Sequence, residues 1–170
     1  PWLSQRTQPK STSDLANDPQ QSENSRYQEL LQQGVTQFNQ ENWEVAKAAM
    51  ESAQQLQPET VEPALYLARI ALVQNQTETA HKNLLELRDR FPKKDEVALY
   101  LGFSYEKQRD FNLAESLYRE SLQLNPENPK SGLRLGTVLI KKGRYEDARG
   151  FLESVTAKFP GYAVAWWNLG

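Results

Sequence analysis

The sequence predicts an all-α fold made of antiparallel helical hairpins, four complete and a fifth cut off after its beginning. Two observations indicate this, and both repeat at intervals of 34 residues. Prolines recur at that interval at Pro58, Pro92, Pro126 and Pro160. Small residues form two columns with the same period, Gly34, Ala68, Gly102, Gly136 and Gly170 in one and Ala46, Ala80, Ala114 and Ala148 in the other. A fixed period of this length is typical of stacked helical repeats.

Each observation has a steric explanation. Two antiparallel helices approach closely only where neither carries a bulky side chain, so glycine or alanine of the first helix is predicted to face alanine of the second. Larger apolar residues at helical spacing, such as Leu101 and Tyr105 and then Leu117 and Tyr118, predict a one-sided apolar stripe. Each proline lacks an amide donor and disfavours helix at the residue before it, so the second helix of every hairpin should end there.

The periodic positions place the elements in order. The predicted helices cover residues 26–39, 43–56, 61–74, 77–90, 95–108, 111–124, 129–142 and 145–158, and a further one begins at 163. Ser25 and Gln28 match a capping box, which predicts that the first helix begins near Ser25. Residues 1–24 are polar and carry too little apolar surface to offset backbone ordering, which predicts a disordered arm or linker. Alternatively, Trp2 and Leu3 are the remnant of a membrane-proximal anchor.

Composition excludes several classes of function. A net charge of -2 argues against non-specific nucleic-acid binding, and no apolar run is long enough for membrane insertion. The absence of cysteine excludes disulfides, thiol nucleophiles and thiolate metal sites. Met50 is the only methionine, so we expect a processed chain or part of a longer protein. The compartment stays open between an exported or membrane-tethered bacterial protein and a cytoplasmic one.

Catalytic motifs are not found in the sequence. No Gly-rich phosphate loop, zinc-ligand spacing or nucleophile elbow occurs. The only histidine, His81, is predicted to face outward without a partner, and the carboxylates are expected as isolated residues on solvated helix faces. We therefore predict no enzymatic activity, no metal and no cofactor.

The motifs inside each period resemble those of the tetratricopeptide repeat family, W-x-x-L-G-x-x-Y, A-x-x-x-F and P. The third period carries Leu101, Gly102, Tyr105, Phe111, Ala114, Tyr118 and Pro126, and the truncated fifth carries Trp166, Leu169 and Gly170. Departures include Ala98 for the opening tryptophan, Ala71 for an aromatic, and Gln33 and Gln37 in the first period. The resemblance implies a right-handed superhelical solenoid over residues 25–170, with repeats near 27–60, 61–94, 95–128 and 129–162 and a partial repeat at 163–170.

The resemblance also implies a protein-protein interaction scaffold whose concave groove is lined by the first helix of each hairpin. The partner-binding positions are then Leu65, Tyr66, Arg69, Leu99, Tyr100, Phe103, Lys107, Lys130, Leu133, Arg134 and Lys141. Such a surface suits a peptide or helix with apolar anchors and acidic residues. The leucines in this set either pack between hairpins or contact the partner. The carboxylate clamp of the chaperone-binding branch is missing, and the residues at its positions are Leu31, Val35, Arg69, Leu99 and Phe103.

Three functional alternatives remain at this point. The repeats form a scaffold, or they are the substrate-recruiting or regulatory arm of an enzyme whose catalytic domain lies outside this chain, or they self-associate through Trp166 and Trp167.

Residues 129–160 carry seven basic and three acidic side chains. That excess indicates a solvated helix face, an acidic partner or anionic headgroup, or nucleic acid.

Overall fold

The structure is a computed structural model that describes residues 19–162. Within that range the helices are α1 (Pro19–Asn39), α2 (Trp43–Leu56), α3 (Glu62–Val73), α4 (Thr77–Arg90), α5 (Asp95–Lys107), α6 (Phe111–Leu124), α7 (Pro129–Lys141) and α8 (Tyr145–Lys158). Residues 160–162 are helical as well. The all-α prediction is confirmed, and the bounds of α2 to α8 agree with the predicted ones to within one residue. Across the described residues, no helix is both long and apolar enough to cross a membrane.

The start of α1 differs from the prediction. The helix begins at Pro19, so residues 19–24 are helical where an arm was expected. Ser25 lies inside the helix and its hydroxyl donates to the carbonyl of Gln21 at 2.9 Å, which means that the capping-box assignment is wrong. Asn24 accepts a hydrogen bond of 2.7 Å from Gln57, and this contact with the segment after α2 supports the additional turns. Residues 1–18, with the proposed anchor at Trp2 and Leu3, lie outside the described residues.

The ends of the second helices follow the prolines as predicted. Helices α2, α4, α6 and α8 each end two residues before a proline, and the intervening residue donates its backbone N–H to the carbonyl four residues back. The turns inside the hairpins have a feature that the sequence did not reveal. Glu41, Asn75, Arg109 and Gly143 have positive φ values of 62°, 61°, 64° and 74°, again one period apart. Only one of the four is glycine, so residue type alone does not identify this left-handed turn position.

The described residues divide into two compact units, and the division lies between Pro63 and Ala64. In the first unit α1 packs against α2 around Tyr27, Leu30 and Ala53. The Tyr27 hydroxyl donates to Thr60 at 3.2 Å, which ties the beginning of α1 to the segment after α2.

The second unit contains the larger core. Helix α5 packs against α4 and α6, and α7 packs against α6 and α8. Its buried cluster is formed by Leu99, Ala114, Tyr118, Leu135, Val138, Leu139 and Ala148. The start of α5 is joined to the α6–α7 connection, because Asn125 and Asn128 both donate to the Asp95 carboxylate, at 3.0 and 2.8 Å. These bonds fix the register of consecutive hairpins.

Within the described residues the small-residue columns are buried, with Ala46, Ala80 and Ala114 each 0% exposed. The expected facing of glycine against alanine is wrong, however. A Cβ added to Gly102 would lie 2.8 Å from the Tyr118 ring, and one added to Gly136 would lie 2.6 Å from Leu152. The glycines therefore make room for a large side chain that follows the alanine by one helical turn.

Candidate functional site

The predicted binding positions lie on α3, α5 and α7, the first helices of the hairpins in the second unit. We call the side chains of these helices that remain at least partly accessible the first-helix surface. Leu65, Leu99 and Leu133 do not belong to it, since they are 3%, 2% and 3% exposed. They are core residues, so packing explains these three leucines and their assignment to a binding groove is corrected.

Aromatic rings and a guanidinium connect the first two of these helices. Arg69 of α3 places its Cζ 4.2 Å from the ring centroid of Tyr66 and 5.0 Å from that of Tyr100 on α5. Burial raises the pKa of Tyr100, although the positive charge of Arg69 acts in the opposite direction. Arg69 thus bridges two tyrosines that the sequence placed one repeat apart.

A second contact of the same kind connects α5 with α7. The Cζ of Arg134 lies 3.9 Å from the ring centroid of Phe103, and the Nζ of Lys107 lies 5.6 Å from the same ring. The Lys107 ammonium also donates to Asn75 at 3.3 Å. Phe103 is half-buried between these two cations. The structure therefore brings six of the predicted positions together in two groups, Tyr66, Arg69 and Tyr100 in one and Phe103, Lys107 and Arg134 in the other.

Lys130 belongs to the same surface, and Tyr162 lies beside it. Partial burial lowers the pKa of Lys130, and the neighbouring charge of Arg69 lowers it further. Burial raises the pKa of Tyr162, with Arg69 and Arg134 opposing the shift. Tyr162 was missed by sequence reasoning because it follows Pro160 and stands outside the first-helix register. The surface near Arg69 thus combines two cations, Arg69 and Lys130, with the neighbouring Glu96 carboxylate and with tyrosine rings.

A buried carboxylate lies beside this surface. Glu106 is 6% exposed, and it accepts hydrogen bonds from the Tyr118 hydroxyl at 2.7 Å, from Lys141 at 2.6 Å and from Arg134 at 3.4 Å. The expectation of isolated carboxylates on solvated faces is wrong here. Lys141, predicted as a groove cation, is paired with a buried anion.

Glu115 forms a second buried centre, on α6. It is 4% exposed and pairs with Arg119, with Lys142 at 2.5 Å and with Arg144 at 2.7 Å. Burial raises the pKa of Glu115, but the hydrogen bonds from Lys142 and Arg119 prevail and hold it at about 2. These residues line an open cavity of about 590 Å³.

These carboxylates change the interpretation of the basic excess in residues 129–160. Six of the seven cations form ion pairs, namely Arg134, Lys141, Lys142, Arg144, Arg149 and Lys158. Four of the six, those at 134, 141, 142 and 144, use Glu106 or Glu115, and Lys158 uses Glu127. Much of the local charge is therefore compensated by acids earlier in the chain.

His81 also has partners, contrary to expectation. Its Nδ1 lies 2.9 Å from the buried hydroxyl of Ser104, and its ring packs edge-on against Tyr105 with centroids 4.7 Å apart. Ser104 in turn donates to the carbonyl of Leu101 at 2.7 Å. The imidazole is thus part of the packing between α4 and α5. Across the described range, no group of three or more His, Cys, Asp or Glu side chains is placed to hold a metal ion.

The hairpins repeat, each ends just before a proline, and their two helices cross closely. Together with the aromatic and cationic side chains of the first-helix surface, these features define the class of helical-repeat proteins that bind other proteins. Tetratricopeptide repeat models match residues 31–80, 65–129 and 106–169. The chain belongs to the tetratricopeptide repeat family. This family is generally non-catalytic and supplies protein-protein interaction scaffolds.

Solved structures of similar fold agree with the family. A thermophilic tetratricopeptide repeat protein of Thermus thermophilus, TTC0263, has a TM-score of 0.71 at 22% identity, covering 77% of this chain and 73% of its own. MamA from Desulfovibrio magneticus RS-1 has a TM-score of 0.64 at 18% identity, covering 79% and 76%. The Arabidopsis OM64 repeat domain has a TM-score of 0.62 at 16% identity, covering 68% and 96%. No match was found among curated proteins. At these identities the likeness concerns the fold.

Proposed function

We propose that this protein binds a peptide or helical segment of a partner protein on the first-helix surface, and that the segment presents apolar anchors flanked by acidic residues. The observation that supports this most directly is Arg69, which contacts the rings of both Tyr66 and Tyr100. Because this cation contacts aromatic rings of two consecutive repeats, the two repeats share one amphipathic surface. Aromatic and arginine side chains are the types enriched at binding hot spots.

The chemistry of the guanidinium explains the expected ligand. It stacks on an aromatic ring through its flat face, while its edge carries N–H donors in a geometry that matches a carboxylate. Arg134, stacked on Phe103 at 3.9 Å, has a side chain that is 38% exposed. An acidic side chain of the partner can therefore reach its edge, and an apolar side chain can cover the adjacent ring.

A helical or extended segment fits this arrangement better than a small molecule. The contacts lie on three successive first helices, α3, α5 and α7, so a ligand must be long enough to reach more than one repeat. Amphipathic helices present apolar anchors at regular intervals along one face, which is the form that such a row of sites recognises. If these repeats serve an enzyme domain elsewhere in a longer protein, the same surface recruits its substrate.

The test is selection from a random peptide display library against the purified protein, followed by fluorescence anisotropy with the recovered peptides. We expect enrichment of leucine or aromatic residues together with aspartate or glutamate. The triple variant Tyr66→Ala, Tyr100→Ala and Phe103→Ala should weaken binding by about tenfold or more, since truncated hot-spot residues each contribute above about 1 kcal/mol.

A matched control is available on α8. Tyr145 is 66% exposed, so Tyr145→Ala removes an aromatic ring without disturbing the core and should leave binding unchanged. Circular dichroism would show that the triple variant keeps its helical content. Equal binding by the parent and a folded triple variant would show that the ligand docks elsewhere.

A further inference from the structure

Glu106 stands at a position that is apolar in the other repeats. Residues at its register are Phe38, Leu72 and Ile140, and those at the register of its partner Tyr118 are Met50, Leu84 and Leu152. In the third repeat alone, this pair is a carboxylate and a phenol joined by a hydrogen bond of 2.7 Å. Glu106 is 6% exposed and Tyr118 is 0% exposed. The polar pair is therefore built into the interior of the hairpin.

Stability alone does not account for this pair. Moving a carboxylate out of water costs several kcal/mol even when it is paired, and well-packed apolar residues at such sites are often equally or more stabilising. The neighbouring repeat shows the apolar solution, with Leu72 at 1% exposure and Leu84 at 0%. A role beyond stability is expected for a buried charge that an apolar residue replaces elsewhere in the same fold.

The remaining partners of Glu106 come from the next first helix, α7. Lys141 donates to one carboxylate oxygen at 2.6 Å, and Arg134 approaches the other at 3.4 Å. Arg134 is the residue stacked on Phe103. Lys107, one period before Lys141, has a different partner, since it donates to the neutral amide oxygen of Asn75 at 3.3 Å. Glu106 thus contacts two cations of the first-helix surface from the buried side of that surface.

We propose that Glu106 is a positioning residue of the first-helix surface, which holds the guanidinium of Arg134 against Phe103 and compensates the charge of Lys141. The surface then recognises a carboxylate through one oriented guanidinium instead of through diffuse positive charge. The binding part of this inference rests on the proposed function. The positioning part rests on the contacts alone.

The double variant Glu106→Leu with Tyr118→Phe tests the proposal, because it restores the apolar pair of the other repeats and leaves no buried hydroxyl without a partner. Tyr118→Phe alone is the matched control, since it keeps the carboxylate with Lys141 and Arg134. Nitrogen-15 NMR would follow the Arg134 Nη1 protons, which face Glu106, and the Lys141 ammonium. We expect slowly exchanging signals in the parent and the control, and their loss in the double variant. Unchanged signals in a folded double variant would overturn the proposal.

The direction of the change in affinity separates positioning from simple electrostatics. The double variant raises the local charge by one, so charge attraction alone would tighten the binding of an acidic ligand. Positioning predicts the opposite, a loss of about tenfold, because the guanidinium must be ordered when the ligand binds. The probe is a short fluorescein-labelled helical peptide with leucine and glutamate on one face. Equal or tighter binding by the double variant would contradict the proposal.

Two further outcomes are informative. If the double variant does not fold, the variant Arg134→Lys takes its place, because it keeps the charge but removes the planar group stacked on Phe103. It should weaken the binding of the probe peptide by a similar factor. An unchanged affinity would again contradict the proposal. If the parent does not bind the probe, the proposed ligand class is wrong, while the NMR signals of Arg134 and Lys141 still decide whether Glu106 positions them.

Discussion

Substituting Gly102 with alanine tests how tightly the hairpins of the second unit cross. A Cβ at this position would lie 2.8 and 2.9 Å from two ring carbons of Tyr118 and 3.3 Å from the Cβ of Leu117. Real Cβ atoms hardly ever approach another heavy atom below 3.0 Å. Tyr118 is 0% exposed and its hydroxyl is bonded to Glu106, so the ring has no space into which to move.

The magnitude follows from two opposing effects. Overpacking a well-filled core costs about 1 to 3 kcal/mol. Alanine has a better helix propensity than glycine by about 1 kcal/mol, which offsets part of that cost. Because the contact is with a buried ring and not with the end of a flexible side chain, the overpacking cost should lie in the upper part of its range, about 2 to 3 kcal/mol. We therefore expect Gly102→Ala to lower the free energy of unfolding by about 1 to 2 kcal/mol. It should also disturb Glu106, because the displaced Tyr118 ring carries the hydroxyl that bonds to it.

Gly150 provides the matched control. It lies within α8, and a Cβ built on it would meet nothing within 4 Å. Only the helix propensity changes there, so Gly150→Ala should raise the free energy of unfolding by up to about 1 kcal/mol. Gly34→Ala should fall between the two, because its nearest contact, at 2.6 Å, is the flexible end of Met50.

Urea unfolding followed by circular dichroism measures these differences, with the slope of the transition compared among variants. Tryptophan fluorescence should report the same midpoint if the transition is cooperative. The reasoning would be refuted if Gly102→Ala were as stable as the parent while Gly150→Ala behaved as expected. Such a result would mean that the helix crossing is looser than the structure indicates.

Two predictions concern charge and turn geometry. Although burial raises the pKa of Glu115, its ion pairs hold it at about 2 in the folded protein, against a usual 4.5. The stabilisation of the folded state by the ionised Glu115 carboxylate is present near neutral pH and is lost as the pH falls from about 5 towards 2. Its upper limit is about 3 kcal/mol, and solvent screening reduces that value. Glu115→Gln should therefore show a weaker acid dependence of its unfolding midpoint in that window, and an identical dependence would contradict the assignment. Gly143 has a φ of 74°, so Gly143→Ala should destabilise the protein by about 1 to 2 kcal/mol even though no atom lies within 4 Å of the added Cβ. An unchanged thermal midpoint would argue against a left-handed turn at this position.

The features that sequence predicted well depend on neighbours along the chain. Proline disfavours helix at the residue before it, so α2, α4, α6 and α8 end just ahead of the periodic prolines. Small residues with a fixed period require a close helix crossing, although the residue facing each glycine was assigned wrongly. The start of α1 was also missed, since residues 19–24 form helix without an apolar pattern of their own.

The features that the sequence did not predict depend on distant residues. Glu106 is separated from Lys141 by 35 positions, and their pairing becomes evident only when α5, α6 and α7 are packed together. The same holds for His81, whose partner Ser104 is 23 positions away on the next hairpin. The apolar residues at the register of Glu106 in the other repeats are a sequence signal for its burial, but they do not identify the cations that pair with it.

Sequence by itself thus determined the repeat, its period, the bounds of α2 to α8 and the family, because local sterics and periodic burial act on residue types that can be read directly. Tertiary structure decided which predicted groove residues are accessible. It placed Leu65, Leu99 and Leu133 in the core and stacked Arg69 and Arg134 on aromatic rings. It also paired Lys141 with Glu106. The physical reason is that accessibility and charge compensation depend on what the adjacent hairpin presents about 34 residues away.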